Sequence, residues 1–188
     1  MTGRMKLYIG LLVLALVIIG GGLWFLFNPV SIIDIPDAEP IITMHNSYRT
    51  IGQGPNHLYI YQDGAVIYVK QKGIATDSIK TWSTGKLQKV ELDELLDFFK
   101  HSGFTALDGI YQFAGESVEG ATKMGGMSCA ISIDYEDLQK TVHADWYLSP
   151  DGGITYPDMP YPLNEIYKKL KQIIDSKTEE VYREPIKD

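Results

Sequence analysis

Two runs of alternating apolar and polar residues, separated by Asp63-Gly64, form the clearest local pattern in the chain. Residues 57–62 and 65–70 are rich in tyrosine, isoleucine and valine, which are typical of half-buried strands. An Asp-Gly pair between two such runs favours a tight type I′ turn, so the pattern predicts a β-hairpin. A further extended stretch over 78–87 predicts a third strand, in which Thr84-Gly85 favours a bulge or a break.

Two segments show the spacing of an amphipathic helix. Over 91–102, apolar residues recur every three or four positions, acidic residues occupy the first turn, and Gly103 follows as a stop signal. A second apolar stripe begins at Pro162, a residue that suits the first turn of a helix, and continues to about Ser176. The sequence therefore predicts two helices, and Phe104 is expected to fold back on the last turn of the first one.

A second hairpin is predicted between the helices, from residues 128–135 and 138–143 around Glu136-Asp137. The order of three strands, a helix, two strands and a helix predicts an α+β domain. Its core would be an antiparallel sheet of about five strands with both helices packed on one face. Such a sheet leaves Tyr59 and Tyr61 either in the core or on an open aromatic face, and the same holds for Tyr68.

An uncharged apolar run precedes this domain. Residues 7–27 would span roughly 30 Å as a helix, which matches the hydrocarbon core of a bilayer. Arg4 and Lys6 favour a cytoplasmic N-terminus, while Tyr8 and Trp24 suit the two headgroup regions. We therefore predict a single-pass protein of the cell membrane, contacting lipid through 7–27, with its C-terminal domain outside the cytoplasm.

The alternative for this run is a cleaved signal peptide with its cleavage site at the glycines of 20–22. Cleavage there would leave a new apolar terminus in water, so we favour the uncleaved anchor. The predicted boundaries are a cytoplasmic N-terminus at 1–6, the transmembrane helix at 7–27, a proline-containing linker at 28–44, the α+β domain at 45–176 and a charged, fraying tail at 177–188.

Composition excludes several classes of function. The chain has 188 residues and a formal charge of −7, without a basic cluster, which argues against nucleic acid as a partner. Its one cysteine, Cys129, allows no intrachain disulfide and lies in an alternating segment, where we expect a buried small side chain. A catalytic thiol paired with His143 or His101 is the alternative.

Part of the pattern resembles a known group of proteins. The segments that carry the resemblance are the hairpin Tyr59–Tyr68, the helix Leu92–Phe99, the exit Gly103–Asp108, the second hairpin and the closing helix Leu163–Ile174. Together they are similar to a group of uncharacterised exported bacterial and archaeal domains, over roughly residues 45–176. That group has no assigned activity, so the resemblance implies a fold and export but no functional residue. The chain departs from some members in lacking paired cysteines before the first hairpin.

The most favoured function is a binding or protein-interaction module that uses two long loops, at 114–127 and 145–162. Aromatic residues dominate the energetics of many interfaces. The second loop and its flanks supply the candidate binding residues Trp146, Tyr147, Tyr156 and Tyr161. A protein partner in the cell envelope is the expected ligand, although each of these aromatic residues would also suit the edge of the core.

Two other functions remain open. One is an envelope-associated hydrolase with His143, Asp145 and Asp151 as its acid/base group, and the other is a structural subunit of a membrane complex. No motif supports a cofactor or a zinc site, because the four histidines lack metal-binding spacing. A calcium site on the acidic residues of 145–158 lacks the pattern of the twelve-residue calcium loop.

Overall fold

A computed structural model of the chain describes residues 33–48, 53–73, 78–111, 126–148, 154–155 and 161–186. The strands in chain order are β1 (Ile42–Tyr48), β2 (Gln53–Ile60), β3 (Ala65–Lys72), β4 (Ile79–Lys86), β5 (Ile110–Tyr111), β6 (Gly126–Tyr135), β7 (Leu138–Leu148), β8 (Ile154–Thr155) and β9 (Thr178–Pro185). The helices are α1 (Lys89–His101), a 3₁₀ turn (Phe104–Ala106) and α2 (Tyr161–Lys177).

The strands form one mixed sheet. Their order is β5-β7-β6-β1-β2-β3-β4-β9, with β8 also paired to β7. The pairings are antiparallel except for β5 with β7, which run parallel. The sheet is therefore wide, and β1 holds its two halves together by pairing with both β2 and β6.

The predicted sheet of about five antiparallel strands is wrong. Residues 42–48 form β1, although the predicted boundary between the linker and the domain falls within them, after residue 44. The C-terminal tail, which was expected to fray, forms β9 and pairs with β4. Both strands were missed because their pairing is distant in sequence. The partners of β1 in β6 lie 79 to 91 positions later, from Tyr48 with Met127 to Ile42 with Ile133. The many charged side chains of β9 hide its strand pattern, as they often do on an edge strand.

The first hairpin forms at the predicted place with a different turn. The backbone N–H of Gly64 donates to the Tyr61 carbonyl and that of Tyr61 donates to the Ala65 carbonyl, each at 2.9 Å. Gly64 has a positive φ of 86° while Asp63 does not, so the connection is a type I turn followed by a left-handed glycine instead of type I′. The Asp63 carboxylate accepts a hydrogen bond from the Ala65 N–H at 2.9 Å, which stabilises this turn.

The helices pack on one face of the sheet and form the main core with it. α1 begins after Gln88, whose backbone N–H donates to the Glu91 carboxylate at 2.9 Å. Phe104 folds back on the last turn of α1 as predicted, because its ring meets that of Phe99 edge to face at 5.1 Å and both are fully buried. Cys129 is also buried in this core, 2% exposed, which confirms its expected structural role.

The predicted single-pass membrane topology is corrected as well. Across the described parts of the chain, the structure contains no helix that is both long and apolar enough to cross a bilayer. Segment 7–27, with its expected lipid contact, lies outside the described residues. The cell-membrane localisation is therefore not retained.

Candidate functional site

The sheet face opposite α1 and α2 carries a second, smaller cluster of apolar and aromatic side chains, which we call the second face. Its buried members are Tyr61, Ile67 and Val69, and Tyr59 and Trp82 pack partly buried against them. Strand alternation explains the division, because residues two apart on a strand share a face. Tyr59 and Tyr61 thus lie on the second face, whereas Tyr68 packs against the main core.

The strand registers align a row of side chains across the second face. Successive cross-strand partners, from β7 to β9, are His143, Ala130, His45, His57, Val69, Trp82 and Tyr182. The row brings two histidines from different strands into direct contact. The alternation of residues within a single strand cannot predict this contact, because the register between β1 and β2 decides which residues lie opposite each other.

His45 and His57 meet through their Nδ1 atoms, which lie 2.5 Å apart. The ring centroids are 4.8 Å apart and the ring planes make an angle of 68°. At this distance one imidazole donates its Nδ1 proton and the other accepts it, so the pair holds one proton between the two atoms. Tyr59 adds a third ring, with its centroid 5.7 Å from that of His45 and 6.3 Å from that of His57.

Partial burial lowers the pKa of His45 and of His57 below the ordinary value of 6.5. Burial is the largest cause for His57, and the positive charges of His45 and Lys80 lower its pKa further. Both rings are therefore predominantly neutral at neutral pH. Neutral imidazoles can bind a ligand or a metal through a ring nitrogen.

A pocket of about 390 Å³ lies beside the histidine pair. Aromatic, polar and apolar side chains line it, chiefly those of Pro55, His57, Tyr59, Gln71, Lys80 and Trp82 from β2, β3 and β4. The Lys80 Nζ lies 4.4 Å from the centroid of the Trp82 ring, over its face. Trp82 Nε1 donates to Glu184 Oε1 at 3.4 Å and Lys80 Nζ lies 3.8 Å from the same oxygen, so β9 holds both side chains in place.

The structure places few of the binding residues predicted from the sequence. Trp146 and Tyr147 lie in β7, but their side chains are outside the described part of the chain, as is Tyr156 entirely. Tyr161 is the first residue of α2 and its side chain is 77% exposed. The role of these four residues stays a prediction.

The candidate hydrolase group is only partly described. His143 and Asp145 lie two positions apart in β7, while Asp151 lies outside the described residues.

Cys129 does not pair with His143, because it faces the main core whereas His143 belongs to the row on the second face. Burial also raises the pKa of the Cys129 thiol, which leaves it protonated and unsuited to attack. Within the described residues, no three or more His, Cys, Asp or Glu side chains converge as metal ligands.

Comparison of the chain with protein-family models, with curated proteins and with solved structures finds no match. The resemblance to a group of exported domains therefore stays a prediction.

Proposed function

We propose that this chain is a binding module, and that its ligand is a small molecule with a flat apolar ring and a negatively charged group. The ligand occupies the pocket beside His57 and Trp82 on the second face. Pocket size supports this proposal, because about 390 Å³ falls within the range of small-molecule sites.

The chemistry of the pocket sets the class of ligand. Tyr59 and Trp82 offer aromatic surface for a flat ring, and rings in such sites pack edge to face or with an offset. Lys80 supplies the cationic group of the lining, although Glu184, at 3.8 Å, offsets part of its charge. Gln71 adds both a hydrogen-bond donor and an acceptor. The juxtaposition of Lys80 with the Trp82 ring is the observation that carries the proposal, since it places a cation beside an aromatic surface.

Ligand-observed NMR on the full-length chain tests this function with pairs of aromatic carboxylates and their uncharged amides. We expect the carboxylates to bind more tightly than the amides. Trp82→Ala should weaken both members of each pair, whereas Lys80→Gln should remove mainly the preference for the carboxylate.

Lys100→Gln is the matched control, because Lys100 is an exposed lysine on α1, at the other face of the sheet. It should leave binding unchanged. Equal binding of acids and amides, or equal losses in the Lys80 and Lys100 variants, would contradict the proposed ligand class.

A protein partner is the second candidate, and the exposure of Tyr161 favours it. An aromatic side chain that is 77% exposed at the start of a helix suits an interface anchor. A photoreactive group at Tyr161 should then crosslink one partner that the same group at Val90, 62% exposed on α1, does not capture. Equal labelling at the two positions would remove this candidate.

A further inference from the structure

We propose that His45 and His57 form a two-histidine site for a divalent late transition metal, with copper(II) the preferred ion. The metal binds through the two Nδ1 atoms and keeps its other coordination positions open to water. This inference goes beyond the pocket ligand, because His45 does not line that pocket.

The separation of the two nitrogens favours copper over zinc. Two nitrogens on adjacent corners of a square-planar centre, with bonds of about 2.0 Å, lie about 2.8 Å apart. Two nitrogens on a tetrahedral zinc lie about 3.3 Å apart for bonds of similar length. The observed Nδ1 to Nδ1 distance of 2.5 Å is that of a hydrogen bond and is nearer to the square-planar value. To admit copper(II), the two nitrogens must separate by about 0.3 Å and both rings must turn so that their lone pairs converge on the metal.

The fold holds both ligands on rigid elements. His45 and His57 are direct cross-strand partners in the antiparallel pair of β1 and β2, and β1 is paired on its other side with β6. A site built on paired strands keeps its geometry better than one on a loop. Neighbouring Ala130, the β6 partner of His45, is small and leaves room beside the pair.

Binding requires a shift of one proton but no net release. In the hydrogen-bonded pair one ring carries its proton on Nδ1, and that proton must move through solvent to Nε2 of the same ring before both Nδ1 lone pairs face the metal. Both rings are then neutral Nε2–H tautomers. The bonds that form are two metal–nitrogen bonds, and they replace two of the metal's water ligands.

The charged and titratable groups around the pair act in opposite directions. The positive charge of Lys80 disfavours a positive charge on the His57 ring. Glu184 lies 3.8 Å from the Lys80 ammonium and offsets part of the lysine's charge. Tyr59 contacts both rings but keeps its proton at neutral pH, because burial raises its pKa. The imidazoles therefore remain the metal ligands.

Titration of the full-length chain with copper(II) near neutral pH, followed by calorimetry and by electron paramagnetic resonance, tests the site. We expect one tightly bound ion with hyperfine coupling to two nitrogens and weaker binding of zinc. His45→Ala and His57→Ala should each weaken copper binding at least about tenfold.

His143→Ala provides the control, because His143 belongs to the same row but is separated from His45 by Ala130. It should leave copper binding and the nitrogen coupling unchanged, and circular dichroism reports whether each variant is folded. If a variant does not fold, selective broadening of the His45 and His57 ring signals by copper in the unsubstituted chain gives the same information.

Several results would overturn the proposal: no copper binding by the folded chain, undiminished binding in both single variants, or broadening that spares these two rings. Zinc binding as tight as copper binding would overturn the square-planar geometry. Trp82→Ala should weaken binding of the pocket ligand, Lys80→Gln should remove mainly its preference for the carboxylate, and both variants should keep copper, so failure of one proposal is distinguishable from failure of the other.

Discussion

The α-carbon of Gly85 in β4 lies against the backbone carbonyl of Lys177, the last residue of α2. A Cβ added at Gly85 would come within 1.9 Å of that oxygen and 2.8 Å of its carbon. The contact occurs where α2 passes directly into β9, and Gly85 pairs with Thr178, the first residue of that strand. A glycine at this position is therefore what lets the last strand join the sheet.

Gly85→Ala should lower the free energy of unfolding by at least about 2 kcal/mol, because backbone must shift to relieve the overlap. Chemical denaturation measures the effect. Gly109→Ala is the matched control, since its Cβ would have, among the described residues, only the Thr141 carbonyl nearby, at 3.9 Å. Similar small losses in the two variants would mean that β9 does not approach β4 as described.

The contact between Phe99 and Phe104 joins α1 to the turn that follows it. Phe99→Ala should cost about 3–5 kcal/mol of stability, because a fully buried ring is replaced by a cavity. A double-mutant cycle with Phe104→Ala should give a coupling of about 0.5–1.5 kcal/mol for the edge-to-face pair. Phe98→Ala is the control and should cost less stability, because the Phe98 ring is only half buried. If the stability losses of Phe99→Ala and Phe104→Ala add without coupling, the contact between the two rings is contradicted.

The ion pair between Glu91 and Lys177 should make stability depend on pH. Its nitrogen and oxygen lie 2.5 Å apart, and the hydrogen bond from Lys177 is the largest cause that holds the pKa of Glu91 below its ordinary 4.5. A carboxyl group whose pKa is lower in the folded than in the unfolded state stabilises the fold at pH values above the unfolded-state pKa. This contribution is lost as the pH falls through the folded-state pKa.

Thermal unfolding measured from neutral pH down to acid should therefore show a shallower decline in Glu91→Gln than in the unsubstituted chain. Glu94→Gln changes an exposed carboxylate on the same helix that makes no salt bridge among the described residues. The Glu94→Gln variant should lose thermal stability with falling pH as steeply as the unsubstituted chain. Superimposable profiles for the unsubstituted chain and Glu91→Gln would show that the pair does not contribute.

The two histidines should influence each other's titration. His57 should titrate below 6.5, and His45→Ala should raise its pKa toward 6.5, because the substitution opens the site to water and removes a neighbouring positive charge. NMR of the ring protons follows this directly. His143→Ala should leave the titration of His57 unchanged, and a His57 pKa that does not respond to His45→Ala would contradict the observed contact.

The sequence by itself determined the elements whose signals are local. The 3.6-residue period and the glycine stop signal defined α1, and the Asp-Gly and Glu-Asp pairs located the turns of both hairpins. The strands themselves extend further than predicted, and β7 continues to Leu148, into the segment expected to be a loop. The return of Phe104 onto α1 was also predictable, since the two positions are only a few residues apart. These features depend on residues close together in the chain, whose side chains alone determine the preferred local structure.

Only the tertiary structure decided the width of the sheet and the place of the candidate site. β1 and β9 pair with strands far away in sequence, and their own composition resembles a linker and a charged tail. The contact of His45 with His57 and the alignment of Val69 with Trp82 depend on strand register. Register is set by long-range packing across the whole sheet, and a shift of one residue would turn each side chain to the other face.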